Sequence, residues 1–316
     1  MVKRLQNRIA GGRATLPAMS VIAVATWLLA GVVQQGLWLQ AACFAITAYL
    51  LVVLNNANSL IRIYSRTVSC AFMVMTCSSV YLFPSLRGGI VGACAVLFYI
   101  LFLRSFQNRN ASGWVFYAFA CVGISSVLFV QTLFYVPLLW VLLATNMTAM
   151  GWRTMSASIL GLLLPYWFAA GYCVFSGDFT FLEAHFTPMA EFGQVADIFC
   201  VNTYQLLTFA FVVVCAVTGT VHFLRNSNRD KIRTRMIFEM FITVDIATIV
   251  FIILQPVHFD VLIRIAIINT SPLIAHFVTL THTKLTNAAT LLFLAAAAAI
   301  LTTTFLLGLW SPSMTY

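Results

Sequence analysis

Charged side chains are scarce in this sequence. Of its 316 residues, 8% are Asp, Glu, Lys or Arg, whereas 62% are apolar. Soluble domains average about a quarter charged residues and about half apolar ones. The apolar residues form runs of about 17–25 residues, the length that a helix needs to cross a hydrocarbon core of ~30 Å. The composition therefore excludes a water-soluble globule and predicts a single integral-membrane domain over residues 1–316.

The motifs of soluble nucleotide and hydrolase chemistry are also missing. The sequence has no Walker loop, no GxSxG elbow and no dinucleotide-binding glycine fingerprint, so nothing indicates these catalytic classes. Its eight cysteines form no CxxC pair, and its five histidines have no HxxxH or HxxH spacing. Such spacings bring ligands together around zinc or iron. We therefore expect no cofactor and no metal site.

Acidic residues are few, at 8 against 17 Lys and Arg, and the formal net charge is +9. A nucleic-acid partner would require basic residues that share one water-exposed face. They lie instead in short loops: with a cytoplasmic N-terminus, fifteen of the 17 fall inside, Arg87 falls outside and Arg264 lies in a span. This is the positive-inside bias of membrane proteins. It predicts a cytoplasmic N-terminus, a periplasmic C-terminus, membrane lipids as partners and no nucleic-acid partner.

The apolar runs predict an all-α polytopic fold of about eleven transmembrane helices. The predicted spans are 16–33, 37–54, 68–83, 89–103, 114–130, 132–148, 156–175, 204–224, 236–254, 261–280 and 285–309. The stretch 113–148 is unusual because each half has only about 17 residues and would rise ~26 Å. Arg109 and Arg153 both belong inside, so the chain must go out and return between them. Two short helices that turn near Gln131 and a re-entrant hairpin both fit.

Two connections have a strong charge bias. The loop 225–235 carries five basic residues and belongs to the cytoplasmic side. The longer connection 176–202 has no Lys or Arg and belongs outside; its acidic residues are Asp178, Glu183, Glu191 and Asp197. Within it, Thr187 and Pro188 suit an N-cap and a first helical turn, which predicts a short helix in the outer interface. A solvated acidic loop is the alternative.

The span 156–175 contains the sequence GLLLPYWFAAGY, with Gly161, Pro165 and Gly171 inside a helix. Proline removes one backbone hydrogen bond and kinks a helix. Glycines allow neighbouring membrane helices to approach closely. The pattern therefore predicts a kinked helix that packs tightly through its glycines.

Ionisable and polar side chains inside the last spans are the leading candidates for a substrate site. These candidates are Asp245, Asp260, Arg264, Asn269 and His276. A charge at the centre of a membrane helix costs roughly 2.5–3.5 kcal/mol on insertion scales, so it usually faces a partner or a wet cavity. Arg264 has two possible partners, Asp245 on the preceding span and Asp260 one turn earlier on its own helix. A structural ion pair and a site that handles a proton or an anion both fit.

A second candidate site lies where the span 37–54 ends. The segment NNANSLIRIYSR contains the candidates Asn55, Asn56, Arg62 and Arg66. Arginine offers a bidentate fork to phosphate, and the inner leaflet is anionic. The segment therefore predicts a binding site for lipid head-group phosphate, although ordinary loop chemistry explains the same residues.

Three patches carry a resemblance to a family. They are the Asn-rich turn NNANSLIRIYSR, the kinked GLLLPYW helix with its following outer loop, and the basic KIRTR turn before an acid-bearing span. With the overall layout, they resemble the multi-spanning inner-membrane proteins of Bacteroidetes-type bacteria, a family with no assigned activity. The resemblance implies a multi-pass protein of the bacterial inner membrane and supplies no catalytic residues. A looser likeness to many-helix polymerases and flippases of lipid-linked glycans rests on architecture alone.

Three functions fit these features. The first is handling of a lipid-linked or amphipathic cell-envelope substrate, with Asp245, Asp260 and Arg264 around a central polar site and the acidic connection as a lid. The second is a proton-coupled secondary transporter in which Asp245 loads the proton. The third is a non-catalytic membrane subunit or scaffold whose buried charges fix packing or meet a membrane-protein partner. The sequence leaves enzyme, transporter and scaffold open.

Overall fold

The computed structural model describes residues 5–177, 180–190 and 201–306, and within these ranges the chain is helical with no β-strand. Its α-helices there are α1 (Leu5–Gly11), α2 (Thr15–Leu29), α3 (Trp38–Asn58), α4 (Thr67–Ser78), α5 (Leu86–Phe102), α6 (Ser112–Leu128), α7 (Val136–Ala144), α8 (Trp152–Ser176), α9 (Thr180–Ala190), α10 (Thr203–Asn226), α11 (Ile232–Leu254), α12 (Phe259–Leu280) and α13 (Lys284–Leu306). Short 3₁₀ helices are Val80–Leu82, Leu103–Ser105, Val130–Tyr135, Ser227–Arg229 and Pro256–His258.

Each of the predicted spans contains helix. Seven segments are long and apolar enough to cross a membrane: Trp38–Asn58, Leu86–Ser105, Trp152–Ser176, Thr203–Arg229, Ile232–Leu254, Pro256–Leu280 and Lys284–Leu306. Four predicted spans are shorter apolar helices: Thr15–Leu29, Thr67–Ser78, Ser112–Leu128 and Val130–Ala144. The all-α class is thus confirmed for the part of the chain that the structure describes, and seven of its helices have the length and composition that a membrane span requires.

Contacts between connections identify one end of the helix bundle, which we call the basic end. Arg233, at the start of α11, donates from Nη2 to Asn58 Oδ1 at the end of α3, over 3.0 Å. Asn146, just after α7, donates from Nδ2 to the carbonyl of Met236 in α11, over 3.1 Å. The connections α3–α4, α7–α8 and α10–α11 therefore meet at the same end.

Other connections meet at the opposite end. Gln131, between α6 and α7, donates from Nε2 to Nε2 of His258, between α11 and α12, over 2.9 Å. Gln205 in the first turn of α10 donates to Asp260 in the first turn of α12, over 3.1 Å. The turn expected near Gln131 is therefore present, and residues 113–148 run to the opposite end and return. The return helix α7 has 9 residues and follows the 3₁₀ helix Val130–Tyr135.

Helix α12 lies at the centre of the bundle, packed against α4, α5, α10 and α11. In its most apolar stretch, 89% of residues are buried. A helix buried on all sides has to place its polar side chains against protein. The buried polar residues of α12 therefore mark internal polar contacts, and they include Asn269, Thr270 and His276.

Helices α6 and α8 pack through glycine, as the sequence predicts at Gly161. A Cβ there would lie 2.3 Å from the Phe116 carbonyl oxygen, and one at Gly123 would lie 2.6 Å from the Leu162 carbonyl oxygen. Backbone this close excludes any side chain at these two positions. Gly171 has no such neighbour within 4 Å, so the prediction of close packing is wrong at that position.

Helix α9 begins at Thr180, and Pro188 lies inside it near its end. The predicted helix start at Thr187 and Pro188 is therefore wrong. The upstream residues TFLEAHF include the strong helix formers Leu, Glu and Ala, which support an earlier start. The later part of the predicted helix lies outside the described residues, as do Asp178, Glu191 and Asp197.

Candidate functional site

Asp245 is buried in α11 at the contact with α12. Its Oδ2 accepts a hydrogen bond from Thr270 Oγ1 over 3.0 Å, and its Oδ1 has no partner. The carboxyl group forms no ion pair among the described residues. The predicted pair with Arg264 is therefore wrong. Thr270 lies six residues after Arg264, about 120° away around α12 at 3.6 residues per turn, so the two side chains leave different faces.

Arg264 instead points toward the turn between α4 and α5. Its Nη2 donates to the carbonyl of Leu82, and its guanidinium group lies against the first turn of α5, where a Cβ added to Gly88 would come within 2.7 Å of Nε. Asp260, one turn earlier, accepts from Gln205 rather than from Arg264. The predicted Asp260–Arg264 pair is likewise absent from the ion pairs in the described part of the chain.

Asn269 belongs to a polar cluster in the middle of the bundle. Tyr99 OH donates to Asn269 Oδ1 over 2.6 Å, and Asn269 Nδ2 has no partner. Nearby, Tyr135 OH donates to Thr248 Oγ1 over 3.1 Å. Tyr99 and Tyr135 both line a small cavity of 60 Å³. The cluster and the Asp245 carboxyl group are both buried in the bundle interior, and Arg264 donates instead to the Leu82 carbonyl.

His276 contacts a network at the basic end. Its Nε2 lies 3.2 Å from Asp230 Oδ2, and its Nδ1 lies 3.3 Å from His222 Nδ1. The other oxygen of Asp230 forms an ion pair with Arg62 Nε at 2.6 Å. His276 is therefore separated from the other four candidates of the predicted substrate site. The five candidates contact different partners and do not form one central site.

The four residues predicted to bind lipid phosphate also lie in different surroundings and do not form one site. Arg62 forms an ion pair with Asp230. Asn55 is buried and donates from Nδ2 to the Ser65 carbonyl over 2.8 Å. Asn56 is exposed at the end of α3. Arg66 lines a pocket, where its guanidinium group donates to Tyr64 OH over 3.1 Å. The segment thus contributes one arginine to a possible anion site.

That pocket is a polar hollow of 350 Å³, here called the basic basin, and its lining residues are Gly11, Gly12, Arg13, Tyr64, Ser65 and Arg66. Ser65 holds its two sides together, because its Oγ donates to the Ala10 carbonyl over 2.8 Å. Neither Arg13 nor Arg66 forms an ion pair within the described residues. The basin therefore presents two uncompensated guanidinium groups at the basic end.

A larger apolar cavity of 480 Å³ adjoins the basic basin, and Gly12 lines both. Apolar side chains of α2, α4, α10, α12 and α13 form most of its wall, and Arg8 is its one charged lining residue. The volume falls within the roughly 300–1,000 Å³ of ligand pockets. Together, the cavity and the basin form an amphipathic site with apolar walls and three arginines at one side.

Arg8 and Arg13 are the residues that the sequence reading missed. They lie in a basic N-terminal segment, and the positive-inside rule already accounted for the positive charge there. The missing signal is tertiary: Gln6 donates to the Val278 carbonyl over 2.7 Å, and this contact fixes α1 beneath α12. Nothing in the sequence connects residue 6 with residue 278.

The described residues contain no group of three or more His, Cys, Asp or Glu that could hold a metal ion. No protein-family model, no curated protein and no solved structure matches this chain.

Proposed function

We propose that this protein is a multi-pass protein of the bacterial inner membrane that binds a lipid or lipid-linked envelope substrate with an anionic head group. In this proposal the chain crosses the membrane eleven times, with its N-terminus in the cytoplasm and its C-terminus in the periplasm. The observation that carries the proposal is the apolar cavity of 480 Å³ that opens beside the basic basin. The substrate site is thus at the basic end rather than around Asp245 and Arg264.

The chemistry of the two hollows matches the two parts of a phospholipid. Apolar walls favour acyl chains, because their burial removes apolar surface from water. The guanidinium forks of Arg13 and Arg66 suit a phosphate group, since arginine binds phosphate bidentately. The positive-inside rule assigns the basic end to the cytoplasmic leaflet, where anionic lipids are enriched.

Native mass spectrometry of the purified protein tests this proposal by titration with phosphatidylglycerol and, separately, with zwitterionic phosphatidylcholine. We expect one phosphatidylglycerol to bind preferentially. The double variant Arg13→Gln/Arg66→Gln should weaken its binding about tenfold or more, because it removes charge-assisted hydrogen bonds to phosphate. Ala18→Phe, which fills the cavity wall, should reduce binding of both lipids.

Two matched controls separate the site from general effects. Arg225→Gln/Arg229→Gln removes two exposed arginines predicted on the same face, and Ala45→Phe fills a different apolar cavity between α2 and α3. Both controls should bind as the wild type does. Equal binding of the two lipids, or equal loss in test and control variants, contradicts the proposal and favours the scaffold function.

A second candidate, proton-coupled transport, is favoured by Asp245. Its carboxyl group is buried in a membrane helix without an ion pair, and Oδ1 lacks a partner. Such residues mark proton pathways in pumps and transporters. In proteoliposomes with an internal pH dye, Asp245→Asn should abolish substrate-driven proton flux and Asp260→Asn should retain it. Flux that survives Asp245→Asn removes this candidate.

A further inference from the structure

Three buried polar atoms of different helices have no hydrogen-bond partner and belong to residues that line one cavity. They are Trp27 Nε1 of α2, Thr76 Oγ1 of α4 and Arg264 Nε of α12. A buried polar group without a partner is destabilising, because it has given up its hydrogen bonds to water. Three such atoms around one small space therefore indicate a ligand that satisfies them together.

The three unpartnered groups determine the hydrogen-bonding role of that ligand. Indole Nε1 and guanidinium Nε carry a hydrogen and no lone pair for acceptance, and a threonine hydroxyl can donate as well. The ligand must therefore accept hydrogen bonds from all three. Nη2 of Arg264 already donates to the Leu82 carbonyl, whereas Nε is buried without a partner beside Gly88, which also lines the cavity.

The electrostatic balance favours an anion over water. Arg264 forms no ion pair among the described residues; the Asp260 carboxylate, one turn earlier, acts on it only from beyond ion-pair distance. The amino-terminal turn of α5, which also lines the cavity through Gly88 and Gly89, adds the positive end of a helix dipole. A neutral water molecule would satisfy hydrogen bonds but would add no negative charge beside the guanidinium group or the helix terminus.

The size of the cavity limits the anion to a small one. Its volume is 30 Å³, above the roughly 10–15 Å³ that one water molecule needs. The cavity adjoins the stacked rings of Trp27 and Phe83, whose centroids are 3.9 Å apart, so its wall on that side is rigid. Sulfate and phosphate esters are much larger than a water molecule, so a cavity of this size favours a smaller anion.

We propose that Trp27, Thr76 and Arg264 form a binding site for a chloride-sized monovalent anion between α2, α4, α5 and α12. The site is separate from the apolar cavity and the basic basin, which share none of these three residues. Bound anion neutralises the buried guanidinium group and ties α12 to the turn before α5. It is a structural or regulatory ion, and lipid binding at the basic end does not depend on it.

The test measures binding of radioactive chloride to the full chain in nanodiscs, with gluconate as the replacement anion at constant ionic strength. Wild-type protein should bind chloride saturably, one per chain, and chloride should raise its Tm, since a ligand of the folded state stabilises it. Trp27→Phe retains a stacking ring without the N–H, and Thr76→Val retains the shape without the hydroxyl. Each should weaken chloride binding about tenfold.

Matched substitutions elsewhere serve as controls. Trp38→Phe changes an exposed tryptophan, and Thr218→Val changes a threonine whose hydroxyl donates to its own helix; both should bind chloride normally. Arg264→Leu should abolish binding, and if it fails to accumulate, Trp27→Phe and Thr76→Val together decide. Absence of saturable chloride binding in the wild type overturns the proposal, as does normal affinity in both Trp27→Phe and Thr76→Val.

Discussion

Arg62 Nε lies 2.6 Å from Asp230 Oδ1, and this ion pair joins the loop after α3 to the loop before α11. The same carboxylate reaches His276 near the end of α12, with 3.2 Å between Oδ2 and Nε2. The Asp230 side chain is 1% exposed, whereas that of Arg62 is 40% exposed. Asp230 therefore connects three parts of the basic end from a buried position, with one partner still in contact with solvent.

Asp230→Asn should lower the free energy of unfolding by about 1–3 kcal/mol, the range for the loss of a hydrogen bond to a charged group. The larger loss of about 3–5 kcal/mol for breaking a buried pair should not appear, because Arg62 remains hydrated. Thermal unfolding in detergent measures the change. The control is Asp260→Asn, which alters a more exposed carboxylate that accepts a hydrogen bond from Gln205 and forms no ion pair among the described residues. Equal Tm losses in both variants would contradict a special role for Asp230.

Asp245→Asn should be tolerated, with a change in unfolding free energy below about 1 kcal/mol, because an amide oxygen can still accept from Thr270 and no cation loses its partner. For the same reason, Asp245→Asn should not rescue Arg264→Leu. Because the two residues share no partner, the effects should add within about 0.5 kcal/mol in a double-mutant cycle. Unfolding measured on both single variants and the double variant decides this point. Substantial rescue would mean that the two side chains pair after all.

The helices were predictable because their signal is local, whereas the contacts of their polar residues were not. Long apolar runs indicated helix in each predicted span, and the bounds agree within a few residues for most. Asp245 and Arg264 were both placed inside apolar spans, and the structure buries Asp245 fully and Arg264 in part. Their partners depend on the direction in which each side chain leaves its helix, and a helix apolar on all sides carries no amphipathic pattern that reveals this direction.

Only part of the amphipathic site could be predicted from the sequence, because its residues come together through tertiary contacts. The sequence pointed to arginine near the end of α3, and Arg66 does line the basic basin. Arg13 and Arg8 reach the same place only because α1 docks beneath α12. Positive charge in cytoplasmic loops serves topology whether or not it binds a ligand, so the sequence could not separate these two roles.

A reporter that is active only in the periplasm should be active when fused after Tyr316 and inactive when inserted in the loop 225–235. The loop 225–235 lies at the basic end, and the positive-inside rule keeps loops rich in Lys and Arg in the cytoplasm. An insertion between α11 and α12, where Gln131 meets His258, should be active as well and provides the internal control. Reporters inactive after Tyr316 but active beside His258 would leave both chain ends on one side and remove the eleven-span topology.

Gly161→Ala should destabilise the protein, whereas the same substitution at Gly171 in the same helix should not. A Cβ at position 161 would lie 2.3 Å from the Phe116 carbonyl oxygen and 3.1 Å from the Ala120 nitrogen. Both atoms belong to the backbone of α6 and cannot move away as a side chain can, so overpacking should cost about 1–3 kcal/mol. Gly171 has no neighbour within 4 Å, and there alanine should be neutral or stabilising by up to about 1 kcal/mol through its higher helix propensity. Thermal unfolding of the two variants gives the comparison. If Gly161→Ala unfolds at the wild-type temperature, α6 and α8 are not in the close contact described above.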